Sequence, residues 1–445
     1  GLEMSMNIPQ SFTRDAFQKL TNKTLGNKPQ DNNPFQQYKK IITDNYKKDR
    51  TSGNYVLKEG LSREVIANID FIFKRIGYKK FSSIREIAKY FKRLLEEKKY
   101  IVLFAYNGTG KTRLSGEFKS LGQQLNEETG EKTADTLYYN AFTEDLFYWD
   151  NDLDNDTERV LKFNKSSRFF SGLKDLDMDN RIRPLLQRYA DFDFSINYDN
   201  ASISFYREEL IEGSMQRIDN IKVSRGEENI FIWCFFLAIV QLVIDKAEAY
   251  EWVKYIYVDD PISSLDDNNV IAVASHLAAL MKVEGVKVIV SSHHTLFFNV
   301  LCNGINRAEQ LFLQKSTKNS TYILKDTTKT PFFHHVALLK ELKKASDTGI
   351  LYTYHFNILR NILEKTASFH GYAHFSSCIR KGDAENEPVY IRIVNLLSHG
   401  NYSLFDPKEM VEENKEYFRN ILNNFLEDYN FNQKLFEETQ NQEEE

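Results

Sequence analysis

The sequence contains little cysteine, proline or glycine. Its 445 residues include 3 cysteines, 8 prolines and 19 glycines. The cysteines, Cys234, Cys302 and Cys378, do not form a Cys-x-x-Cys pair, which disfavours a structural zinc site or a disulfide framework. The scarcity of proline and glycine argues against collagen-like, linker-rich and many-turned all-β folds.

The sequence also lacks an excess of positive charge and a membrane-length apolar run. Lysine and arginine total 58 against 63 acidic residues, a net charge of −5, which excludes a surface coated with basic residues for non-specific nucleic-acid binding. The longest apolar run, residues 230–244, is interrupted by Gln241 and predicts a buried core helix rather than a bilayer span. With no signal-peptide pattern, we expect a cytoplasmic protein without a membrane partner.

Short apolar runs of strand type alternate with helical patterns in the middle of the chain. This alternation predicts an α/β fold, with a mixed or parallel sheet flanked by helices. A helix over residues 83–95 is expected before the first strand, and the chain after Pro331 has a helical pattern as far as about residue 430. The predicted strands are residues 100–104, 137–139, 255–258 and 286–290, followed by a hairpin of residues 309–314 and 321–325.

These patterns predict three regions. Residues 1–95 form a partly helical N-terminal extension of unknown role, in which the polar stretch to about residue 55 is expected to be a loosely ordered arm. Residues 96–330 contain the predicted sheet. Residues 331–445 form a mostly helical domain with an acidic tail.

A phosphate-binding loop is predicted at residues 105–112, Ala-Tyr-Asn-Gly-Thr-Gly-Lys-Thr, between a strand and a helix. Small residues let backbone N–H groups approach phosphates, a lysine binds the outer phosphates, and a hydroxyl binds Mg²⁺. Ala105 stands where the usual first glycine would be. The candidate nucleotide-binding residues are Asn107, Gly108, Thr109, Gly110, Lys111 and Thr112.

Two further strands end in polar residues suited to nucleotide hydrolysis. Asp259 and Asp260 follow an apolar strand, which suits a Mg²⁺ ligand beside a base that orients water, although paired carboxylates in a solvated loop are the alternative. His293 follows the next strand and could contact a γ-phosphate or be structural. Thr112 and Asp259 are the predicted Mg²⁺ ligands.

A candidate anion site precedes the long apolar helix. Ser224 and Gly226 could present backbone N–H groups at the helix N-terminus, where the dipole favours negative charge. An ordinary capping box explains Ser224 and Glu227 equally well.

In order, these elements resemble the head of ATP-binding-cassette (ABC) ATPases. The resemblance implies a P-loop, a degenerate signature motif, a Walker B strand with a D-loop containing Asp266, and a switch histidine. It implies that two heads form a homodimer or larger head-to-head oligomer around ATP, GTP or dTTP with Mg²⁺, with Ser224, Gly226 and Glu227 of one protomer facing the nucleotide of the other. Asp260 replaces the usual glutamate, which suggests slow turnover.

A further resemblance lies in the aromatic and acidic segment 137–152 and in residues 105–112, 259–266 and 359–369. In these segments the sequence resembles the PrrC family of anticodon nucleases. The resemblance implies a catalytic triad of Arg360, Glu364 and His399 that works without a metal cofactor, and a tRNA-recognition role for Asp326. The alternative for Arg360 and Glu364 is an ordinary solvent-exposed salt bridge between residues four apart on one helix. The alternative for His399 is a structural role at the end of a helix that begins at Pro388.

The family resemblance also implies a function and partners. We expect a latent endoribonuclease of antiphage defence that cleaves tRNA-Lys 5′ of the wobble base, leaving a 2′,3′-cyclic phosphate and a 5′-OH. A type I DNA restriction–modification complex would silence the enzyme and a phage-encoded factor would activate it. The alternatives are an ABC-type DNA-repair ATPase and a nucleotide-gated scaffold, both without nuclease activity.

Overall fold

The computed structural model describes most of the chain, which forms two compact units, Gly1–Asp326 and Thr327–Glu445. The described residues are 8–26, 34–77, 79–140, 147–150, 160–164, 173–261, 267–282, 285–316, 320–328, 333–380, 387–399, 408–429 and 431.

The strands in chain order are β1 (Ser11–Phe12), β2 (Tyr46–Lys48), β3 (Tyr55–Leu57), β4 (Lys79–Phe81), β5 (Tyr100–Phe104), β6 (Gln124–Leu125), β7 (Lys132–Thr133), β8 (Thr136–Asn140), β9 (Phe147–Asp150), β10 (Val160–Phe163), β11 (Asp193–Asn197), β12 (Ser202–Ile211), β13 (Ser214–Ile218), β14 (Tyr255–Asp259), β15 (Lys287–Ser292), β16 (Glu309–Lys315) and β17 (Tyr322–Asp326).

The α-helices are α1 (Arg14–Gln18), α2 (Pro34–Asn45), α3 (Arg63–Ile76), α4 (Ile84–Leu94), α5 (Lys111–Leu121), α6 (Met178–Leu186), α7 (Arg225–Ile244), α8 (Asp267–Met281), α9 (Thr295–Gly304), α10 (Phe333–Thr348), α11 (Tyr354–Phe369), α12 (Glu387–His399) and α13 (Glu412–Asp428). A π-helical turn covers Lys19–Thr24, and 3₁₀ turns cover Leu173–Asp175, Glu248–Tyr250 and Phe375–Cys378.

A seven-stranded mixed sheet organises the first unit, in the order β4-β17-β16-β5-β15-β14-β8. Strands β8, β14, β15, β5 and β16 pair in parallel, whereas β17 pairs antiparallel with β16 and β4. All five residues of β5 are buried, as is typical of a parallel strand covered on both faces. The predicted α/β fold with helices flanking a sheet is therefore confirmed.

Helix α7 lies in the core of the first unit, as the long apolar run at residues 230–244 predicts. It is long and apolar enough to span a bilayer, but 61% of its most apolar window is buried inside the structure. Phe231, Phe235 and Phe236 are each at most 1% exposed. A helix that is apolar on all sides and enclosed by protein is a core helix.

The expectation of a loosely ordered N-terminal arm is wrong for the described residues. Strands β1, β3 and β2 form a small antiparallel sheet, and Phe17 stacks on Tyr55 with ring centroids 4.0 Å apart. Tyr38, Ile42 and Tyr46 recur every fourth residue and are buried, a pattern hidden by the many polar residues between them.

The N-terminal elements share one hydrophobic core with the sheet. Buried side chains from α2, α3 and α4 join those of β5, β16 and β17 in a single cluster. Strand β4 also pairs with β17 and so extends the sheet at its edge. The predicted helix at residues 83–95 is confirmed as α4, with Ser83 as its N-cap.

A second, antiparallel sheet was not predicted from the sequence. It contains β9, β10, β12 and β11, with β13 paired to β12, and lies between β8 and α7 in the chain. Phe194, Ile203 and Phe205 are buried at alternating positions of β11 and β12. This alternation of apolar and polar residues is the sequence pattern from which the two strands could have been predicted. The aromatic segment 137–152 thus contributes to β8 and β9.

Helices α10 to α13 build the second unit, as predicted for the chain beyond Pro331. Phe356, Leu359 and Leu363 of α11 and Phe418 and Leu422 of α13 are buried. The phenylalanine rings of α11 and α13 meet edge to face at 5.7 Å. Helix α12 ends at His399, as predicted.

We expect Phe81→Ala to destabilise the first unit, because Phe81 is fully buried on β4, where the N-terminal elements join the sheet. Truncating a core phenylalanine costs about 3–5 kcal/mol. Calorimetry should show a lower Tm, whereas Leu125→Ala, at a residue that is 58% exposed, should change stability by less than about 0.5 kcal/mol. An unchanged Tm for Phe81→Ala would contradict the shared core.

Candidate functional site

The predicted phosphate-binding loop connects β5 to α5. The Ala105 N–H donates to the Ser292 carbonyl at 3.1 Å, which holds the start of the loop against β15. Gly108 and Gly110 have φ values of 83° and 108°. A Cβ atom on Gly110 would lie 3.0 Å from Ile84 Cδ1, so both the backbone conformation and the packing favour glycine there. Asn107 and Thr109 lie in the same loop.

Three parallel strands bring the predicted NTPase residues to one edge of the sheet. Asp259 at the end of β14 is in register with Ser291 of β15, and Ser292 is in register with Phe104 of β5. Because the carboxyl ends of parallel strands share one edge, Lys111 at the start of α5 meets Asp259 and Asp260 there. This edge is the usual ligand site of such sheets.

Lys111 is buried between two carboxylates. Its Nζ lies 3.0 Å from Asp259 Oδ1 and also makes a short contact with Asp260 Oδ2. The three residues are at most 5% exposed. Lys111 therefore balances negative charge that would otherwise be costly to bury.

Asp259 is the most heavily hydrogen-bonded member of this group. Its carboxylate accepts hydrogen bonds from Thr112 Oγ1 at 3.2 Å, Asn140 Nδ2 at 2.9 Å and Ser291 Oγ at 2.7 Å. Burial raises the pKa of Asp259, and Lys111 offsets part of that rise. Sequence reasoning missed Asn140 and Ser291, although both lie at or near the carboxyl end of a predicted strand.

Asp260 and His293 form a direct pair. His293 Nδ1 lies 2.7 Å from Asp260 Oδ1, and the His293 backbone N–H donates to the same oxygen at 3.0 Å. Burial would raise the pKa of Asp260, but the hydrogen bonds from His293 and the charge of Lys111 bring the pKa below its usual value. Asp260 has φ of 45°, an uncommon conformation for a non-glycine residue that is often found at functional sites.

The chemistry of the predicted Mg²⁺ ligands suits that ion. Thr112 and Asp259 present a hydroxyl and a carboxylate oxygen 3.2 Å apart, and Mg²⁺ prefers such oxygen ligands together with substrate phosphates. Within the described residues there is no group of three or more His, Cys, Asp or Glu side chains suited to a metal ion. A Mg²⁺ ion held by Thr112 and Asp259 would complete its coordination with water and nucleotide phosphates.

The candidate signature motif forms the N-terminus of α7. Ser224 Oγ accepts the Glu227 N–H at 3.2 Å, and the Glu227 carboxylate accepts the Ser224 N–H at 3.0 Å. This is the capping box left open by the sequence, with Gly226 in the first turn. The expected contact of these residues with the nucleotide of a partner protomer stays a prediction. Asp266 lies outside the described residues.

In the second unit, Arg360 connects the two helices of the candidate nuclease site. Its Nε donates to Glu364 Oε1 at 2.8 Å on α11, and its Nη1 donates to the Leu397 carbonyl of α12 at 3.3 Å. Leu397 lies two residues before His399, which ends α12. The His399 side chain lies outside the part of the structure described, so the triad stays a prediction.

Asp326, the proposed recognition residue, is the last residue of β17 and is exposed. It belongs to the first unit. Burial lowers the pKa of the Lys79 amine, and the negative charges of Glu309 and Asp326 offset part of that decrease.

Comparison with known proteins identifies the family. The chain is 37% identical over 333 residues to the anticodon nuclease of Escherichia coli, and the alignment covers 68% of this chain and 82% of that relative. A family model described as an AAA domain matches residues 180–427, more than half of the chain. The chain belongs to the anticodon nuclease family and contains an AAA domain. Membership of the anticodon nuclease family confirms the resemblance carried by the aromatic and acidic segment.

Two solved structures also resemble parts of the chain. The SMC head domain from Thermotoga maritima is 12% identical with a TM-score of 0.24, and the match covers 51% of this chain and 90% of that one. An SMC head bound to the C-terminal winged-helix domain of ScpA is 11% identical with a TM-score of 0.30, covering 52% and 92%. At these values the likeness carries no functional argument.

We expect Lys111→Ala to destabilise the first unit more near about pH 8 than near about pH 5. Losing one partner of a buried ion pair costs about 3–5 kcal/mol. Because the pKa of Asp259 is raised in the folded state, protonation of Asp259 stabilises the fold. That stabilisation is lost as the pH rises through the pKa that Asp259 has in the folded protein. Without Lys111 both carboxylates protonate more readily, so acid should relieve part of the cost.

Thermal unfolding of Lys111→Ala at both pH values measures this effect. The matched control is Lys132→Ala, because Lys132 is exposed on β7 and should change little at either pH. Equal losses of stability for Lys111→Ala at the two pH values would contradict the charge balance.

Proposed function

We propose that this protein is a latent tRNA endoribonuclease that cleaves in the anticodon loop under the control of a nucleotide-binding head. The observation that carries the proposal is the 37% identity to an anticodon nuclease over 82% of that relative. The geometry of the two candidate sites supports a separate role for each unit, with nucleotide chemistry in the first and RNA cleavage in the second.

In the head, Lys111 and the loop N–H groups would bind the phosphates of ATP, GTP or dTTP. Thr112 and Asp259 would hold Mg²⁺, which neutralises phosphate charge and orients the nucleotide when bound. Asp260 would accept a proton from water, and its lowered pKa keeps it ionised. A weak base of this kind suits slow hydrolysis, as a switch requires.

Nucleotide binding must break the present contacts of Lys111. Its Nζ is engaged by Asp259 and Asp260, so a phosphate has to compete with both carboxylates. Mg²⁺ at Asp259 and the existing bond from His293 to Asp260 would compensate the two carboxylates when Lys111 turns to phosphate. The loop and the carboxyl ends of β14 and β15 would then report the nucleotide state.

In the second unit, Arg360, Glu364 and His399 would cleave RNA without a metal cofactor. One acid–base group removes the proton of a ribose 2′-OH, and the 2′-oxygen bonds to the adjacent phosphorus. The P–O5′ bond breaks, and the second group protonates the leaving 5′-oxygen. Arg360 stabilises the charge on the phosphoryl oxygens, and the products carry a 2′,3′-cyclic phosphate and a 5′-OH.

The family suggests the biological setting of this reaction. We propose tRNA-Lys as substrate, cleaved 5′ of the wobble base, with Asp326 contributing to recognition. We also propose silencing by a type I DNA restriction–modification complex, release by a phage-encoded factor, and a homodimer or larger head-to-head oligomer in which Ser224, Gly226 and Glu227 face the partner's nucleotide and Asp266 lies in the D-loop.

We expect His399→Ala and Glu364→Gln each to slow tRNA cleavage by about 10²–10⁴-fold, because each removes a proton-transfer group. The rate of nicking of purified tRNA measures this loss. Glu416→Gln is the matched control, since Glu416 is an exposed glutamate on α13. Unchanged cleavage by His399→Ala would contradict the triad, and nucleotide hydrolysis stimulated by DNA without RNA cleavage would favour a repair ATPase.

We expect Lys111→Ala and Thr112→Ala to weaken nucleotide binding and to remove its effect on RNA cleavage. Thr112 makes one hydrogen bond to Asp259 within this group, so Thr112→Ala should remain folded where Lys111→Ala is destabilised. Titration with a fluorescent ATP analogue gives the affinity, and cleavage with and without nucleotide gives the regulation. Full regulation in both variants would contradict the switch and leave the nuclease assignment intact.

A further inference from the structure

Helix α11 ends in exposed aromatic side chains a few residues beyond Glu364. Phe369 is 89% exposed and Tyr372 is 49% exposed. His370 and His374 are also exposed. We call Phe369, His370, Tyr372 and His374 the aromatic cluster. Such exposure of a phenylalanine contributes nothing to the core of the unit, so packing does not account for it.

Backbone hydrogen bonds define the turn that carries the aromatic cluster. Gly371 has φ of 78°, and its N–H donates to the Ser368 carbonyl at 3.1 Å. The Tyr372 N–H donates to the Ala367 carbonyl at 2.8 Å. These two bonds and the left-handed glycine form a Schellman motif, which closes the helix and sets the directions of Phe369 and Tyr372.

The rings of the cluster support one another. The His370 ring stacks on Tyr372 at 6.3 Å with an interplanar angle of 21°, and meets Phe369 edge-on at 5.6 Å. The His370 ring also contacts the partly buried Tyr429, with ring centroids 5.1 Å apart. A rigid aromatic surface loses little conformational entropy when a flat ligand stacks on it.

His374, one member of the aromatic cluster, is connected to Arg360 through the buried ring of Phe375. The ring centroids of His374 and the buried Phe375 are 4.4 Å apart. The Arg360 guanidinium lies 5.6 Å from the centroid of the same Phe375 ring. Phe369 follows Arg360 by nine residues on the same helix, about 14 Å along its axis and about half a turn around it, so the two side chains lie on opposite sides of α11. An RNA strand bound at Arg360 would therefore meet the cluster on the side of His374 and pass around the end of α11 to reach Phe369.

We propose that the aromatic cluster binds unpaired nucleobases of the RNA substrate by stacking, with Phe369 as the principal platform. The inference rests on the proposed nuclease function and adds a substrate-binding site to it. Unstacked loop bases bind to aromatic rings in this way, and the interaction tolerates any base because every base has a flat face.

The surroundings favour RNA over an apolar protein partner. The cluster consists of aromatic and histidine rings without an aliphatic side chain. The nearby acids Glu427 and Asp428 are both engaged by Arg380, with Nη2 of the guanidinium 3.3 Å from Glu427, so their repulsion of phosphate is reduced. Lys365 is exposed one turn before Phe369.

The test uses the full chain and a single-stranded 2′-O-methyl RNA in which one base is 2-aminopurine. Methylation removes the nucleophile, so binding is measured without cleavage. Stacking quenches 2-aminopurine fluorescence. We expect Phe369→Ala and Phe369→Leu to weaken binding by about ten- to hundredfold and to reduce quenching, whereas Phe369→Tyr should keep both. Val411→Ala, at an apolar residue of the same unit that is 63% exposed, should match the wild type.

The possible outcomes separate this site from the nuclease function. Equal affinity and quenching in Phe369→Ala and wild type, with normal cleavage of tRNA by wild type, overturns the stacking site alone. Full activity of Phe369→Leu points to an apolar protein contact and also overturns it. A wild-type chain that neither binds nor cleaves RNA overturns both proposals.

Discussion

The first unit depends on one buried positive charge shared by two carboxylates. Lys111 lies between Asp259 and Asp260, and all three are almost fully buried. Removing Lys111 would leave two carboxylates buried without their shared positive charge. The arrangement requires β14, β15 and the start of α5 to meet at one edge of the sheet, which the parallel pairing of the strands provides.

This charge arrangement explains how nucleotide could control the head. In the proposed mechanism Lys111 would turn from its carboxylates to phosphate, Asp259 would hold Mg²⁺, which would supply positive charge there, and Asp260 would keep its contact with His293. At Asp259 one positive charge would replace another, while at Asp260 the existing contact with His293 would remain. A nucleotide therefore changes the contacts of Lys111, Asp259 and Asp260 together, as a two-state switch requires.

The sequence predicted the main sheet well because its strands are continuous apolar runs ending in polar residues. It failed for the N-terminal elements, where buried Tyr38, Ile42 and Tyr46 are separated by polar residues, and for the second sheet, whose pairing is non-local. In the site, Lys111, Asp259, Asp260 and His293 were predicted, whereas Asn140 was missed because a single amide at a strand end carries no motif.

The most direct test is to sequence the 5′-OH ends that the purified chain produces from total tRNA, with and without nucleotide and Mg²⁺. The account predicts ends confined to the anticodon loop, with a yield that depends on the nucleotide. Ends scattered along the tRNA, or intact tRNA under every nucleotide condition, would contradict it.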